Sequence, residues 1–258
     1  MKPQIRKLIT RHVLASKAAV FTVSGIFGPL PGPTQDAFGN PRSMPQSSYF
    51  TSYVTFKTHL NYLRTFLPLT SSLRFAQPGG WATATLALTK HSNVPWLGYR
   101  SYSRLGLYLH NVQDSDGGKP DLYCAAAFED SADAVVAHRE AGKVPVFFAQ
   151  LAASFSPTSF SLSASWEGRP ILLMSLRGLV EAKSSEEATP FSPPEVTAKA
   201  NMGTWGAEKA DLTYTQLEGS ALAEEFPTLS PVIERLRGIA LQEVVSAGIV
   251  ACPRDIVV

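Results

Sequence analysis

One predicted strand of this 258-residue chain concentrates the polar side chains that could do chemistry. Between Tyr102 and Val112, alternate residues face the same side of a strand, which groups Arg104, Tyr108 and His110. Arg104 offers a planar fork of donors that can hold a carboxylate or polarise a carbonyl oxygen. Tyr102 can donate a proton or a hydrogen bond to an enolate. The structural alternatives are a surface arginine at a sheet edge and a half-buried aromatic side chain.

Three more polar residues lie on neighbouring predicted strands. Lys57 and His59 share one face of the alternating segment that starts at Tyr49, where they could act as a basic pair or where Lys57 could be a solvated charge. Thr85 belongs to the run ATATLALT, whose alternating small and polar residues suit a barrel strand with a partly polar interior. We assign Arg104 and Tyr102 to catalysis, and Lys57, His59, Thr85, Tyr108 and His110 to substrate binding.

Several classes of function are disfavoured by the sequence. It contains no Gly-x-Ser-x-Gly, no phosphate-binding glycine loop, no His-Glu-x-x-His and no Cys-x-x-Cys motif. His110 and His138 lie on different predicted elements without carboxylates at metal-ligand spacing, so we predict no metal site and no cofactor. The 23 basic and 21 acidic residues are dispersed along the chain, which argues against nucleic-acid binding. The two cysteines form no disulfide framework and favour a reducing, cytoplasmic compartment.

Many strands and few helices, without regular β-α alternation, predict an α+β fold in which a curled antiparallel sheet or barrel surrounds a pocket with peripheral helices. A helix is predicted from Leu60 to Leu67, where Pro68 ends it, and another is capped by Asp130 or Ser131 and ended by Gly142. Further strands are predicted at 81–89, 105–112, 122–128, 146–151, 154–166, 169–182, 207–217 and 246–252, and further helical segments at 221–226 and 231–244.

The N-terminal segment differs in composition from the rest of the chain. Its first 35 residues contain no acid, while basic and apolar residues alternate. We expect residues 1–46 to form a basic helix followed by a Gly/Pro-rich loop that could act as a lid, and residues 47–258 to form a single domain. A mitochondrial-type presequence is the alternative for the basic segment. Its apolar part, from Ala18 to Leu30, is too short for a membrane span.

Three stretches resemble the acetoacetate decarboxylase superfamily. They are FEDSADAVVAHREAGKVP with its Arg139-Glu140 pair, YFTSYVTFKTHLNYLRTFLP upstream, and MGTWGAEKADL downstream. In that family a Gly-Arg-Glu triplet ends the helix and a Tyr-Pro-Lys-Lys run follows. The resemblance covers the chain from about Tyr49 to its C-terminus and implies the family's fold, with a pocket on the strand that contains Arg104.

The chain departs from the family pattern at the residues that carry the family's chemistry. The Schiff-base lysine falls on Val146, its lysine neighbour on Phe147, and a pocket acid on Arg104. The resemblance therefore implies a divergent member without the covalent lysine intermediate. It also makes Val146 and Phe147 substrate-binding residues, only one of which can face the pocket because adjacent strand residues point to opposite sides.

A pocket that has lost its amines and gained apolar residues favours a larger and more apolar carbonyl or carboxylate ligand. We expect an enzyme, of lyase or isomerase type, that tailors a polyketide-like or other secondary metabolite by decarboxylation, dehydration, isomerisation or cyclisation. Decarboxylation of a β-keto acid needs only a desolvated carboxylate and a hydrogen bond to the ketone. The alternatives are a non-catalytic small-molecule binding protein and a pseudoenzyme. A homo-oligomer is possible.

Overall fold

The computed structural model describes residues 48–68, 72–76, 79–142, 145–181, 203–214, 232, 235–236 and 243–251. Eleven strands of this described part form one sheet. The strands are β1 (Ser48–His59), β2 (Leu73–Phe75), β3 (Trp81–Val94), β4 (Arg100–Asp114), β5 (Asp121–Glu129), β6 (Val146–Phe148), β7 (Gln150–Ser156), β8 (Ser159–Trp166), β9 (Arg169–Glu181), β10 (Gly203–Tyr214) and β11 (Glu243–Ala251). The helices are α1 (Leu60–Arg64), the 3-10 helix Pro95–Leu97 and α2 (Ala132–Gly142).

The sheet curls until its two ends are joined by the chain itself. The strand order is β6-β5-β4-β3-β1-β11-β10-β9-β8-β7, with β2 paired to β4. Only the β5–β6 pair is parallel among the described pairs. The end strands β6 and β7 are separated by Ala149 alone, whose N–H donates to the carbonyl of Glu129 on β5 (2.9 Å). The predicted α+β fold with a curled, mostly antiparallel sheet is confirmed.

Strands β1, β3 and β4 each present one apolar face and one mixed face, and both faces are buried. Residues on the apolar face form the main core with β8, β9 and β11, and its members include Val54, Phe56, Leu86, Leu107, Leu162, Met174 and Ile249. We call the opposite side the polar face. Its buried members include Thr51, Tyr53, Thr55, Thr85, Ala87, Thr89, His91, Tyr102, Arg104, Tyr108, Ala127 and Glu129.

Short polar contacts fix the start of α2. Ser131 Oγ accepts the N–H of Ala134 (3.4 Å), which makes Ser131 the N-cap. Asp130 Oδ1 instead accepts the N–H of Ser103 on β4 (2.7 Å), so the two residues that the sequence offered as caps have separate tasks. Ala134, Val135 and Ala137 are buried, and α2 therefore covers the end of β5 and the short strand β6.

Several predicted boundaries are wrong. The strand predicted at 146–151 is interrupted at Ala149, between β6 and β7, and the strands predicted at 81–89 and 105–112 are longer than expected. The strand expected over 154–166 is a hairpin, because Pro157 and Thr158 form a turn between β7 and β8. Helix α1 ends at Arg64 rather than Leu67, and Thr65 Oγ1 donates to the carbonyl of Tyr62 (2.7 Å). Val244 lies in β11 and not in the predicted helix, since β11 begins at Glu243 and pairs there with β1.

Other predictions fall partly or wholly outside the described residues. Within the predicted 231–244 helix, the described residues Val232, Arg235 and Leu236 are helical, and Leu236 packs into the main core. Residues 1–47, which include the basic segment and the Gly/Pro-rich loop, and the helical turn predicted at 221–226 lie outside the described residues.

Glycine is required at position 106 of β4 because the side chain of Tyr108 lies very close to it on the polar face. A Cβ built at Gly106 would lie 2.6 to 2.8 Å from the ring and hydroxyl of Tyr108, which is fully buried. Only a residue without a side chain leaves room for this tyrosine to lie along its own strand.

We expect Gly106→Ala to lower the free energy of unfolding by roughly 1 to 3 kcal/mol, the usual penalty for overpacking a rigid site. In the background Tyr108→Leu the same glycine substitution should have a much smaller effect. Urea unfolding of the four proteins measures this coupling, with Gly118→Ala as the control because open space surrounds that glycine. Equal effects of Gly106→Ala in both backgrounds would contradict the steric explanation.

Candidate functional site

The centre of the polar face is a row of side chains that crosses four strands. The register pairs Thr51 with Thr89, Thr89 with Arg104, and Arg104 with Glu129. Residues opposite each other in antiparallel strands point to the same face, so the row ends in two opposite charges on β4 and β5. The hydroxyl oxygens of Thr51 and Thr89 are 3.1 Å apart and satisfy each other.

Arg104, Glu129 and His138 form a buried cluster at the end of this row, which we call the charge cluster. Arg104 Nη1 donates to Glu129 Oε1 (3.3 Å), and His138 Nδ1 on α2 lies 2.8 Å from the same oxygen. The side chains of Arg104 and Glu129 are 4% and 0% exposed, and that of His138 is 21% exposed. Three elements thus meet at one carboxylate oxygen.

The charge cluster approaches the protein surface at Cys124. Arg104 Nη2 lies 3.5 Å from Cys124 Sγ, and Cys124 is only partly buried. Between them lie the small residues Gly106 and Ala127, which pair with each other across β4 and β5. Their lack of bulk gives the arginine side chain room to extend along the sheet from its own row toward the cysteine.

Tyr102 borders the charge cluster on its other side. It is buried, its ring stacks on His91 with centroids 4.6 Å apart, and its ring centroid lies 6.0 Å from that of His138. The sequence expectation placed Tyr102 and Arg104 in one site. In the structure Tyr102 lies beside His138, and His138 and Arg104 both contact Glu129.

His110 and Thr85 meet farther along the polar face. Thr85 Oγ1 is 2.7 Å from His110 Nε2 and 2.7 Å from the hydroxyl oxygen of Thr55. Burial lowers the pKa of His110 from its ordinary value of 6.5, because the imidazolium loses hydration there.

Lys57 and His59 lie at the exposed end of β1. Lys57 Nζ forms an ion pair with Glu243 Oε2 (2.9 Å) on β11, and both side chains are exposed. The ring of His59 stacks on Trp81, with centroids 4.6 Å apart. The structure therefore does not bring these two residues to the charge cluster.

Val146 and Phe147 face opposite sides of β6. Val146 is fully buried on the polar face beside Ala127 and Val135. Phe147 packs against Phe128 of the main core, with ring centroids 5.9 Å apart. Of the two alternatives left open by the sequence, Val146 is the residue near the charge cluster.

A separate groove of about 490 Å³ crosses β7 to β10. Its walls are mostly small and hydroxylated, with Ser154, Ser161, Ser163 and Ser175 among the lining residues. It shares no residue with the charge cluster.

Among the residues that the structure describes, no three His, Cys, Asp or Glu side chains are grouped so that they could hold a metal ion. No helix within the described ranges is long and apolar enough to cross a membrane.

Sequence reasoning missed Glu129, His138 and Cys124 as neighbours of Arg104. Glu129 ends an apolar run and precedes a helix, a position that usually indicates a surface residue. The available signal was its place on the strand, since Glu129 alternates with Ala127 on one face. The register that sets it opposite Arg104 contains shifts at Leu107/Tyr108 and Leu109/Val112, which the sequence pattern does not reveal.

Removing one member of the buried ion pair should destabilise the protein more than removing both. We expect Arg104→Met to lower the free energy of unfolding by roughly 3 to 5 kcal/mol, because it removes the guanidinium partner of a buried carboxylate. Adding Glu129→Gln should restore part of this loss. Urea unfolding of the single and double variants gives the coupling energy.

The exposed pair Lys57 and Glu243 supplies the matched control for that cycle. Its coupling energy should stay below about 1 kcal/mol, since solvent screens the two charges. Similar coupling energies for the two pairs would show that burial does not strengthen the Arg104–Glu129 contact.

The low pKa of His110 predicts a loss of stability in mild acid. Because the folded-state pKa lies below 6.5, the unfolded chain binds more protons between the two values. The contribution of His110 is therefore complete above pH 6.5 and is lost as the pH falls through the folded pKa. Wild type should lose more unfolding free energy than His110→Gln between pH 7.5 and 5. A wild-type pH profile retained in His110→Gln would refute this.

The curled sheet and its covering helix α2 are those of the acetoacetate decarboxylase-like fold, which confirms the fold implied by the resemblance. Several solved structures match most of the chain, among them the following three. MppR, an enduracididine biosynthesis enzyme in complex with the condensation product of pyruvate and imidazole 4-carboxaldehyde, has a TM-score of 0.54 and 16% identity over 86% of this chain and 93% of its own. Acetoacetate decarboxylase from Legionella pneumophila has a TM-score of 0.56 and 12% identity over 86% and 92%. A further acetoacetate decarboxylase structure has a TM-score of 0.57 and 12% identity over 81% and 85%.

These identities establish a shared fold alone. No family model matches the chain, and no curated protein is significantly similar to it in sequence.

Proposed function

We propose that this protein is an enzyme that acts on a small carbonyl compound without a covalent lysine intermediate. The observation that carries the proposal is the buried cluster of Arg104, Glu129 and His138 on the polar face. Ionisable groups gathered in a water-poor site are typical of catalytic centres, because their charges act strongly where the dielectric is low. Tyr102 at the edge of the cluster adds a possible donor.

The surroundings of the charge cluster favour an apolar ligand with one polar end. Val146, Ala127 and Val135 form an apolar wall beside it. Arg104 contacts both the carboxylate of Glu129 and the partly exposed Cys124, so a ligand that approaches at Cys124 would meet positive charge. A carboxylate, a ketone oxygen or an enolate fits that charge.

The substrate class that we propose is an intermediate of secondary metabolism, such as a polyketide-like ketone or oxo acid. The fold is shared with MppR, whose structures contain pyruvate and a pyruvate condensation product. The candidate reactions are decarboxylation, dehydration, isomerisation and cyclisation. Because Val146 cannot form an imine, the ligand carbonyl must be polarised by hydrogen bonds and charge.

A second candidate is a binding protein or pseudoenzyme with the same pocket. It is favoured by the contact between Arg104 and Glu129, which already compensates both charges in the described structure. Turnover separates the two candidates. An enzyme consumes a bound oxo acid, whereas a binding protein releases it unchanged.

Oxo acids should bind at the Cys124 side of the charge cluster. We expect a panel of pyruvate, 2-oxobutyrate, phenylpyruvate and acetoacetate to include members that raise Tm by on the order of 5 °C at saturating concentration. The corresponding hydroxy acids should have smaller effects. Borohydride added to the complexes should leave the intact protein mass unchanged, because no Schiff base forms.

Two matched variants locate the binding site. Cys124→Phe should abolish the ligand-induced rise relative to its own Tm, since the added bulk fills the approach to Arg104. Ser161→Phe places the same bulk in the separate groove on β7 to β10 and should preserve the rise. Loss of the effect only in Ser161→Phe, or a borohydride-stable adduct, would overturn the proposal.

A further inference from the structure

We infer that Glu129 is the acid-base residue of this site and that it transfers a proton at the carbon next to a carbonyl group. This inference rests on the proposed function and narrows it. It assigns the catalytic proton transfer to a carboxylate that is held by Arg104 and His138, and it makes the reaction one that proceeds through an enolate.

The two oxygens of the Glu129 carboxylate have different environments. Oε1 is contacted by Arg104 Nη1 at 3.3 Å and by His138 Nδ1 at 2.8 Å. Oε2 is buried and has no hydrogen-bond partner within the described part of the chain. Buried carboxylate oxygens nearly always have partners, so an orphaned one indicates a position that another molecule completes.

The hydrogen bond from Arg104 Nη1 on β4 to Oε1 constrains the direction of Oε2. The imidazole of His138 on α2 packs against the same oxygen at 2.8 Å without hydrogen-bond geometry, so the carboxylate of Glu129 has little room to turn. A base that is held in this way does not have to reorganise when the proton moves. Neighbouring Asp130 is excluded from this role, since its Oδ1 is committed to the backbone N–H of Ser103 and thereby ties α2 to β4.

The proposed step balances without any additional reactant. Glu129 Oε2 accepts the proton from the carbon next to the carbonyl group. The electron pair of that C–H bond forms a carbon-carbon double bond, and the carbonyl π pair moves onto oxygen to give an enolate. The positive charge of Arg104, in the same cluster, stabilises the oxygen anion. In an enolate conjugated with a further double bond, return of the proton from Glu129 to the distal carbon isomerises the substrate. In an enolate with a β-hydroxyl group, that group takes the proton from Glu129 and leaves as water while the carbonyl re-forms, which dehydrates the substrate.

Deuterium exchange tests this step directly. Members of the oxo acid panel that raise Tm are incubated in D2O with the full-length protein, and loss of the proton signal next to the carbonyl is followed by NMR. Wild type should exchange these protons faster than buffer alone. Glu129→Gln should slow the catalysed exchange by at least about 100-fold, the usual contribution of a general base. The control Asp133→Asn changes an exposed carboxylate of α2 and should exchange at the wild-type rate.

The outcomes distinguish failure of the assigned role of Glu129 from failure of the proposed function. Binding without exchange above the buffer rate, or exchange retained in Glu129→Gln, overturns the inference and leaves the proposed carbonyl ligand intact. If no panel member binds wild type, both are overturned. If Glu129→Gln does not fold, Glu129→Asp takes its place in the exchange experiment. The shorter side chain keeps the carboxylate but moves its oxygen away from the substrate carbon. Slower exchange with retained binding supports the inference, and an unchanged rate refutes it.

Discussion

The contact between Arg104 and Glu129 is the constraint on which the surrounding structure depends. Removing two charges from water costs several kcal/mol per ion, and only close geometry with further polar contacts offsets this. The register between β4 and β5 brings the two side chains together, and α2 contributes His138 to the same carboxylate oxygen. The position of α2 is in turn fixed by Ser131 and Asp130, which hold its first turn against β4. The helix, the two strands and the ion pair therefore form one interdependent unit.

Buried threonines make a polar face possible inside a protein of this size. On β1 and β3 they occur as opposite pairs, Thr51 with Thr89 and Thr55 with Thr85, in which each hydroxyl meets the other. Pairing removes the penalty for burying an unsatisfied polar group. The same strands place leucine, valine and phenylalanine on their other face, where the main core supplies most of the apolar burial. The strands thus carry the main core on one side and the charge cluster on the other.

Residue alternation was enough to predict most strands around the site and to group Arg104 with Tyr108. It also predicted α2, because Ser131 and the buried alanines follow helical rules. It did not reveal Glu129, whose partner lies 25 residues away across strands with irregular register. Pairing between distant segments depends on bulges and on packing from α2, and neither leaves a periodic signal in the chain. Likewise Lys57 has the residue type of a catalytic base, but only the fold shows that Glu243 neutralises it in solvent.

The join at Ala149 also bears on how the molecule behaves at high concentration. An end strand of an open sheet offers a row of unsatisfied amides and carbonyls that can recruit another polypeptide. Here β6 and β7 lie at opposite ends of the described strand order, yet one residue links them, and its own amide is used by β5. The two end strands are therefore held next to each other, which limits the length of exposed strand edge that could pair with another molecule. The closure of the sheet is for this reason also a safeguard against aggregation.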